Sequence, residues 1–381
     1  MQNQKIYNHA NSRLTNYLNK DILNYSKLRN YDFGTEKRNN VSNLSKFISH
    51  RILNEFTIIK KILLKYKLNN VEKFIQEIFW RVYWKGWLEN RPKVWKDFLN
   101  STNLIYDHKN YVNACKGNTN ISCFNEWVKE LKNYNYLHNH TRMWFASIWI
   151  FTLNLPWQLG AKLFMEHLFD GDPASNTLSW RWVAGLQTKG KHYLAKSWNI
   201  NKYTQNRFSN IVLNETAFPK KEVINYPLEK IYLTTNKQKK NDYLILFEND
   251  LCFENRQDDY NRYKRIFLVL LNNNLRKISL SKKVLNFKKE LINSFHNNFS
   301  NSEIYDSEKF FLTFNSIKDF DVIYPFIGEN LDFIKEKSKK YKININFIFR
   351  NEDKLCWTFS QKGFFNFKKN IPRIIKELNL M

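Results

Sequence analysis

The hydrophobic pattern changes period once along the chain, and that change limits the fold more than any other feature. Through roughly the first 210 residues, apolar side chains recur three and four apart, as in 44–64, 71–87 and 141–153. This spacing gives each helix one apolar stripe. Pro92, Pro156 and Pro173 punctuate the helical stretches. After about Phe208 the texture changes. From Tyr243 onward, short runs rich in Ile, Val and Phe (243–247, 266–271, 322–326, 343–349) alternate with amphipathic helical patterns (282–297, 329–340, 365–378). That alternation marks a parallel sheet with crossover helices. The expectation is a multidomain α and α/β protein. It has an all-helical domain over 1–210, a connection over 211–242, and a smaller Rossmann-like α/β domain over 243–381. The connection holds Pro219, Pro227 and the basic run Lys237-Gln238-Lys239-Lys240. A length of 381 residues with 43% hydrophobic side chains is enough to bury two cores.

A formal charge of +26 gives much of the surface a positive potential and points to a polyanionic partner, nucleic acid first. A genome-wide lysine bias is the alternative, separated from it by whether the charge gathers at a cleft. Twelve tryptophans add rings that can stack on bases or on a flavin, although most such residues are core. Cys115, Cys123, Cys252 and Cys356 are too scattered for a metal spacing, and they read as reduced thiols of a cytoplasmic protein. The start, from Met1 to Lys5, has no apolar signal segment, and the longest apolar run, 143–153, is too short to span a bilayer. A buried helix is expected there, in a protein without a membrane partner and most simply a monomer. The second half contains only Gly328 and Gly363, so it lacks a Gly-rich dinucleotide fingerprint.

Three clusters carry chemistry. In the first, Asp170, Asp172 and Asn176 stand within seven residues, with Gly171 and Pro173 between them; this is either a capped helix start or a polar site. The second, 137–143, places Asn139 and Arg142 three apart, ahead of an apolar helix. In the third, Glu77, Trp80 and Arg81 fall at i, i+3 and i+4, so a carboxylate, an indole and a guanidinium point one way. Alone, that triple also reads as a surface ion pair packed on an aromatic.

In order and wording, the three clusters resemble the FAD-binding domain of the DNA photolyase and cryptochrome family, over about residues 31–208. The phrases are Phe-Trp-Arg-Val-Tyr-Trp-Lys-Gly-Trp (79–87), Leu-His-Asn-His-Thr-Arg-Met-Trp (137–144) and Gly-Asp-Pro-Ala-Ser-Asn-Thr-Leu-Ser-Trp-Arg-Trp (171–182). They look like those of short bacterial photolyase-like proteins. The resemblance implies bound FAD, with Asp170 and Asp172 at the flavin ring and ribityl region and Asn176 beside flavin N5. Arg142 would pair with Asp170, while Asn139 and Arg81 line the cavity. Residues 41–45 resemble the family's phosphate loop through Ser42, Leu44 and Ser45, with Val41 in place of its threonine and Lys37 or Arg38 supplying charge. Trp180 and Trp157 match the proximal and middle members of an electron-transfer chain, whose surface member would be Trp87, Trp95 or Trp127. Glu77, Trp80, Met143 and Trp182 match the wall of a pocket for cyclobutane pyrimidine dimers. Enzymes for the six-four photoproduct have histidine at the position of Met143, although His138 or His140 could face the pocket instead.

On this resemblance the chain is a light-dependent flavoprotein that repairs pyrimidine dimers in single- or double-stranded DNA. A cryptochrome-like blue-light photoreceptor without repair activity is the alternative, and a nucleic-acid module that has lost its flavin is a third reading. The α/β region departs from the family, which carries its antenna domain ahead of the FAD domain. Residues 242–251 and 321–324 resemble strands of that antenna domain, with Glu248 and Cys252 replacing two arginines. A circular permutation accounts for the reversed order, an unrelated α/β appendage being the other reading; a second, antenna chromophore is left open.

Overall fold

The computed structural model describes all residues except 1–4, 103–108, 189, 230, 232–238, 255, 309 and 314–315. The start of the chain and Lys237-Gln238 of the basic run therefore lie outside the described residues.

Helices run from Lys5–Lys20 to Ser197–Tyr203, and the longest, Leu68–Glu89, is the spine of this half. Its apolar residues occupy more than one stripe, so it is buried on several sides, from Val71 and Phe74 through Phe79 to Trp87 and Leu88. The 141–153 pattern forms the helix Asn139–Ser147, and a π-helical turn, Ile148–Thr152, continues it. The Pro173–Ala184 helix starts as its sequence demands. Asp172 sits in extended conformation and accepts from Ser175 N, Pro173 occupies the first turn, and Gly185 at φ 85° ends the helix in the left-handed region.

The second half is a five-stranded, all-parallel sheet in the order β3-β2-β1-β4-β5, made of β1 (Tyr243–Phe247), β2 (Arg265–Leu270), β3 (Ser302–Asp306), β4 (Asp319–Ile323) and β5 (Asn344–Ile348). β1 is central, and Leu244 to Phe247 are all buried, as a continuous apolar run requires. β3 is the strand that the apolar runs do not announce. Its sequence, Ser-Glu-Ile-Tyr-Asp, belongs to an edge with little to bury. The 365–378 pattern forms two helices, Phe364–Lys369 and Ile371–Glu377, because Pro372 starts a new helix rather than continuing the old one.

The order reverses between β1 and β4, where α/β sheets hold ligands beyond the strand ends. Here that crevice is only about 70 Å³ and closes against Gly171–Ala174 of the helical half. Glu248 fills its polar side, accepting from Lys288 Nζ at 3.0 Å and Asn330 Nδ2 at 3.1 Å. A ring system needs a few hundred cubic ångströms.

The halves share a buried charge cluster. Arg51, fully buried, donates to Glu55 at 3.0 Å, to Asp250 at 3.2 Å and twice to Asp353 at 2.6 and 2.7 Å. Lys85 completes Glu55 at 3.1 Å. The Asn351–Phe359 helix packs on the Leu68–Glu89 spine where Gly86 leaves room. A Cβ on Gly86 would lie 2.5 Å from Ser360 Oγ and 2.8 Å from Trp357 Cδ1. Among the described residues no helix is long and apolar enough to cross a membrane. All four cysteines are free.

Candidate functional site

The three clusters meet around one cavity with two lobes. The first lobe, about 350 Å³, is walled by Glu77, Trp80, Arg81 and Trp84 of the spine and by Asn139, Arg142 and Met143. Asp170, Ser175, Asn176, Trp180 and Trp182 complete it. The second lobe, about 470 Å³, adds Tyr25, Asn30 and the loop Val41–Ser45. Seven wall residues are common to both, Glu77, Arg81, Arg142 and Asp170 among them, so the lobes are one continuous space.

Three arginine–carboxylate pairs clamp that space. Arg81 Nη1 donates to Asp172 Oδ2 at 2.6 Å, Arg142 Nη2 donates to both oxygens of Asp170 at 3.0 Å, and Arg29 donates to Glu77. Each bond joins separate segments of chain, so the pairs fix the walls as well as the charge. Glu77 and Arg81 of the spine thus pair with distant partners rather than with one another, which corrects the surface-ion-pair reading. Burial alone would raise the Asp170 carboxyl, but Arg142 and Arg81 outweigh it and hold the group below the usual carboxylate range. The charge excess of the chain does not gather here: three guanidiniums face three carboxylates.

Asp172 caps the helix through Oδ1 and holds Arg81, a wall residue, through Oδ2, without itself lining either lobe. Asn176, buried, donates Nδ2 to Ala161 O at 2.8 Å. Its other amide atom, the acceptor Oδ1, is what it can offer the cavity. Ser42 is held from behind, its carbonyl accepting from Arg13 Nε at 2.8 Å, and Leu44 is buried. Asn43 takes φ 53°, which turns the loop tightly between Ser42 and Ser45.

Trp80 and Trp182 line the first lobe, and each is backed by another ring. Trp80 stacks on Phe364 with centroids 3.5 Å apart and planes 12° apart; Trp182 lies 6.0 Å from Tyr193 at 24°. Trp180, 2% exposed, touches Phe164 at 5.1 Å and Trp149 at 6.3 Å. Gly160 permits this, because a Cβ there would sit 2.3 Å from Trp180 Cη2. Trp157 is on the same helix as Gly160, buried, and stacked on Phe98 at 5.7 Å. None of the tryptophans expected as a surface relay is at the surface, Trp95 and Trp127 being 1% exposed and Trp87 buried as well.

Two further expectations change. His138 is fully buried and accepts from His140 N as the cap of its helix. Burial lowers its imidazole to about 3, which makes it a neutral structural residue. His140 is the one on the wall, in the second lobe, bonded to Asn30 O at 2.9 Å. Arg38 supplies no charge to the loop, since its guanidinium is committed to Asp32 at 3.0 Å and Glu130 at 2.7 Å. The cations on the second lobe are Arg29, Arg81 and Arg142, of which Arg29 is not expected from the sequence. Its partner Glu77 is 48 residues away, so no local pattern flags it; Phe364 escapes notice for the same reason.

The cavity suits a flavin dinucleotide. Ser175 Oγ is buried on its wall with no hydrogen-bond partner among the described residues, and Ser45 Oγ is buried beside Asp170. Native structures seldom leave such atoms unmatched without a ligand or water to meet them. The second lobe offers hydroxyls and Arg29 to a pyrophosphate, and the first offers carboxylate and amide acceptors beside aromatic walls.

Residues 74–221 match the model of the FAD binding domain of DNA photolyase. A deoxyribodipyrimidine photo-lyase of Agrobacterium fabrum is 32% identical over 121 residues, 31% of this chain and 25% of that protein. One of Buchnera aphidicola is 28% identical over 177 residues, 43% of this chain and 36% of that protein. These alignments thus span about a quarter to a third of the curated relatives' length. The crystal structure of a bacterial class III photolyase from Agrobacterium tumefaciens aligns with TM-score 0.45 and 23% identity, over 52% of this chain and 42% of that one. The matched segment supplies the spine and most of both cavity walls, so the cavity lies in a FAD-binding domain of the DNA photolyase type.

Proposed function

We infer that the two-lobed cavity binds FAD and that the protein is a light-dependent, photolyase-like enzyme acting on cyclobutane pyrimidine dimers in DNA. One observation carries this reading. Asp170, Asn176 and Trp180, matched to the flavin site, and Glu77, Trp80, Met143 and Trp182, matched to the dimer pocket, wall the same lobe. Ser42, Ser45 and Arg29 would hold the pyrophosphate, Asp170 and Asp172 the ring and ribityl groups, and Asn176 would present its acceptor near N5. When bound and reduced, FAD supplies an electron on excitation by blue or near-ultraviolet light.

The protein does the rest. Trp80 and Trp182 present two indole faces between which an extruded dinucleotide stacks, and Met143 fills the wall between. Glu77, held in place by Arg29, offers its carboxylate to a pyrimidine N–H. The surface positive charge holds phosphates, so DNA affinity should fall steeply with salt. The reversed domain order is read as a circular permutation of an antenna-type domain. At about 70 Å³, the crevice at the strand ends is small for an antenna chromophore.

The test is repair of a dimer-containing oligonucleotide by fully reduced protein under blue light. Dimer splitting supports the enzyme; absence of repair with normal flavin photoreduction removes it and leaves the photoreceptor. Glu77→Ala should weaken dimer binding roughly tenfold while FAD stays bound. Loss of flavin instead would place Glu77 in the cofactor site.

A further inference from the structure

The C-terminal segment reaches back to the cavity that the helical half builds. Phe364 is buried and covers one face of Trp80, its ring also meeting Tyr83 at 5.4 Å and Phe367 at 6.1 Å. Polar clips hold the segment to the spine. Tyr83 Oη donates to Lys362 O at 2.9 Å, Arg91 Nη2 donates to Gln361 O at 2.8 Å, and Lys368 Nζ meets Glu72 at 3.2 Å. The next residue, Phe365, has its ring 6.5 Å from Phe364 and is 80% exposed. It therefore stands two ring contacts from the cavity wall, on a rigid mount. Lys362, Asn366 and Lys369 around it are exposed too.

A lone phenylalanine in water on a fixed support gains nothing in the free protein. It gains in contact with stacked bases, and the lysines beside it match phosphates on either side. We propose that residues 362–369 form a second DNA contact of this pocket, with Phe365 as an apolar wedge against the bases beside the extruded dinucleotide and Lys362 and Lys369 on the adjoining phosphates. The proposal rests on the dimer-pocket reading above and adds a partner surface from the other half of the chain. Extrusion leaves a gap in a duplex, and an apolar side chain entering it replaces stacking that the duplex has lost. A single strand has no such gap. The wedge therefore predicts a preference, duplex over single strand, that depends on one residue. Phe364 acts through Trp80 and is a positioning residue.

The experiment compares wild type, Phe365→Ala and Phe364→Leu for affinity toward one dimer-containing sequence as duplex and as single strand, with undamaged DNA as control. Fluorescence of 2-aminopurine opposite the lesion reports local unstacking. Phe365→Ala should bind the damaged duplex roughly tenfold more weakly, with the single strand almost unchanged and flavin content and Tm at wild-type values. Phe364→Leu, which keeps the burial but loses the flat face behind Trp80, should weaken both substrates alike, and Phe364→Tyr should restore them. Equal affinities for wild type and Phe365→Ala on the duplex overturn the wedge. Failure of wild type to prefer damaged over undamaged DNA overturns the pocket reading itself, a result distinct from the first.

Discussion

Gly160→Ala tests the packing that shapes the cavity, because the change adds one methyl group at a place where the backbone tolerates it. Gly160 lies within the Trp157–His167 helix, so alanine brings no strain and a helix-propensity gain of about 1 kcal/mol. Against this, the new Cβ would lie 2.3 Å from Trp180 Cη2, 2.6 Å from Cζ3 and 3.0 Å from Trp149 Cε2. Carbon atoms in contact prefer about 3.5–4.0 Å, so the indole must move by more than an ångström. Phe145, Phe164 and Trp149 surround it, and the yielding side is the cavity it lines. Overpacking of this kind costs about 1–3 kcal/mol, which leaves a net loss of up to about 2 kcal/mol after the propensity gain. Thermal unfolding should then shift down by up to about 3 °C, and purified protein should carry less flavin than wild type. Gly160→Ala combined with Trp180→Phe removes the atoms in conflict and should recover most of the loss, a non-additivity expected only of side chains in contact. A Gly160→Ala protein that is more stable than wild type and fully loaded with flavin would refute the argument.

Further outcomes follow from the named contacts. Asp172→Ala removes the helix cap and the Arg81 partner together and should cost about 1–2 kcal/mol with reduced flavin content, whereas Asp172→Asn, which keeps an acceptor for Ser175 N, should lose less stability by urea titration. Glu89 is buried where the spine meets Tyr324 Oη and Ile327 N, both at 2.8 Å, and burial raises its carboxyl to about 7. A raised carboxyl contributes stability that is fully present below the unfolded value and lost as pH rises through the folded one. Stability should thus fall between about pH 4.5 and pH 7 by up to about 3 kcal/mol, and Glu89→Gln should flatten the profile; a wild-type curve already flat there would contradict it. Arg51→Leu strips the common partner from Glu55, Asp250 and Asp353 and should destabilise by about 3–5 kcal/mol, seen as loss of cooperative unfolding of the two halves.

Local rules made much of this protein legible. The shift from helical to strand-like period placed the two halves, since burial on one stripe or on both faces leaves its mark in adjacent residues. It located four of the five strands, and missed β3 because an edge strand with a polar sequence has little to bury. The Asp-Pro start of the Pro173–Ala184 helix was readable for the same reason, as caps act within a few residues. The clusters at 74–81, 137–143 and 170–182 signalled a site, yet nothing local in them says who pairs with whom. That Arg29 holds Glu77, that Arg38 is committed elsewhere, that His138 is a cap and His140 a wall, and that Phe364 backs Trp80 are consequences of chain segments brought together across tens to hundreds of residues. Periodicity records which face of an element is dry. Only the packed tertiary structure decides which side chain meets it there, because ion pairs and ring stacks form between whatever surfaces the fold presses together.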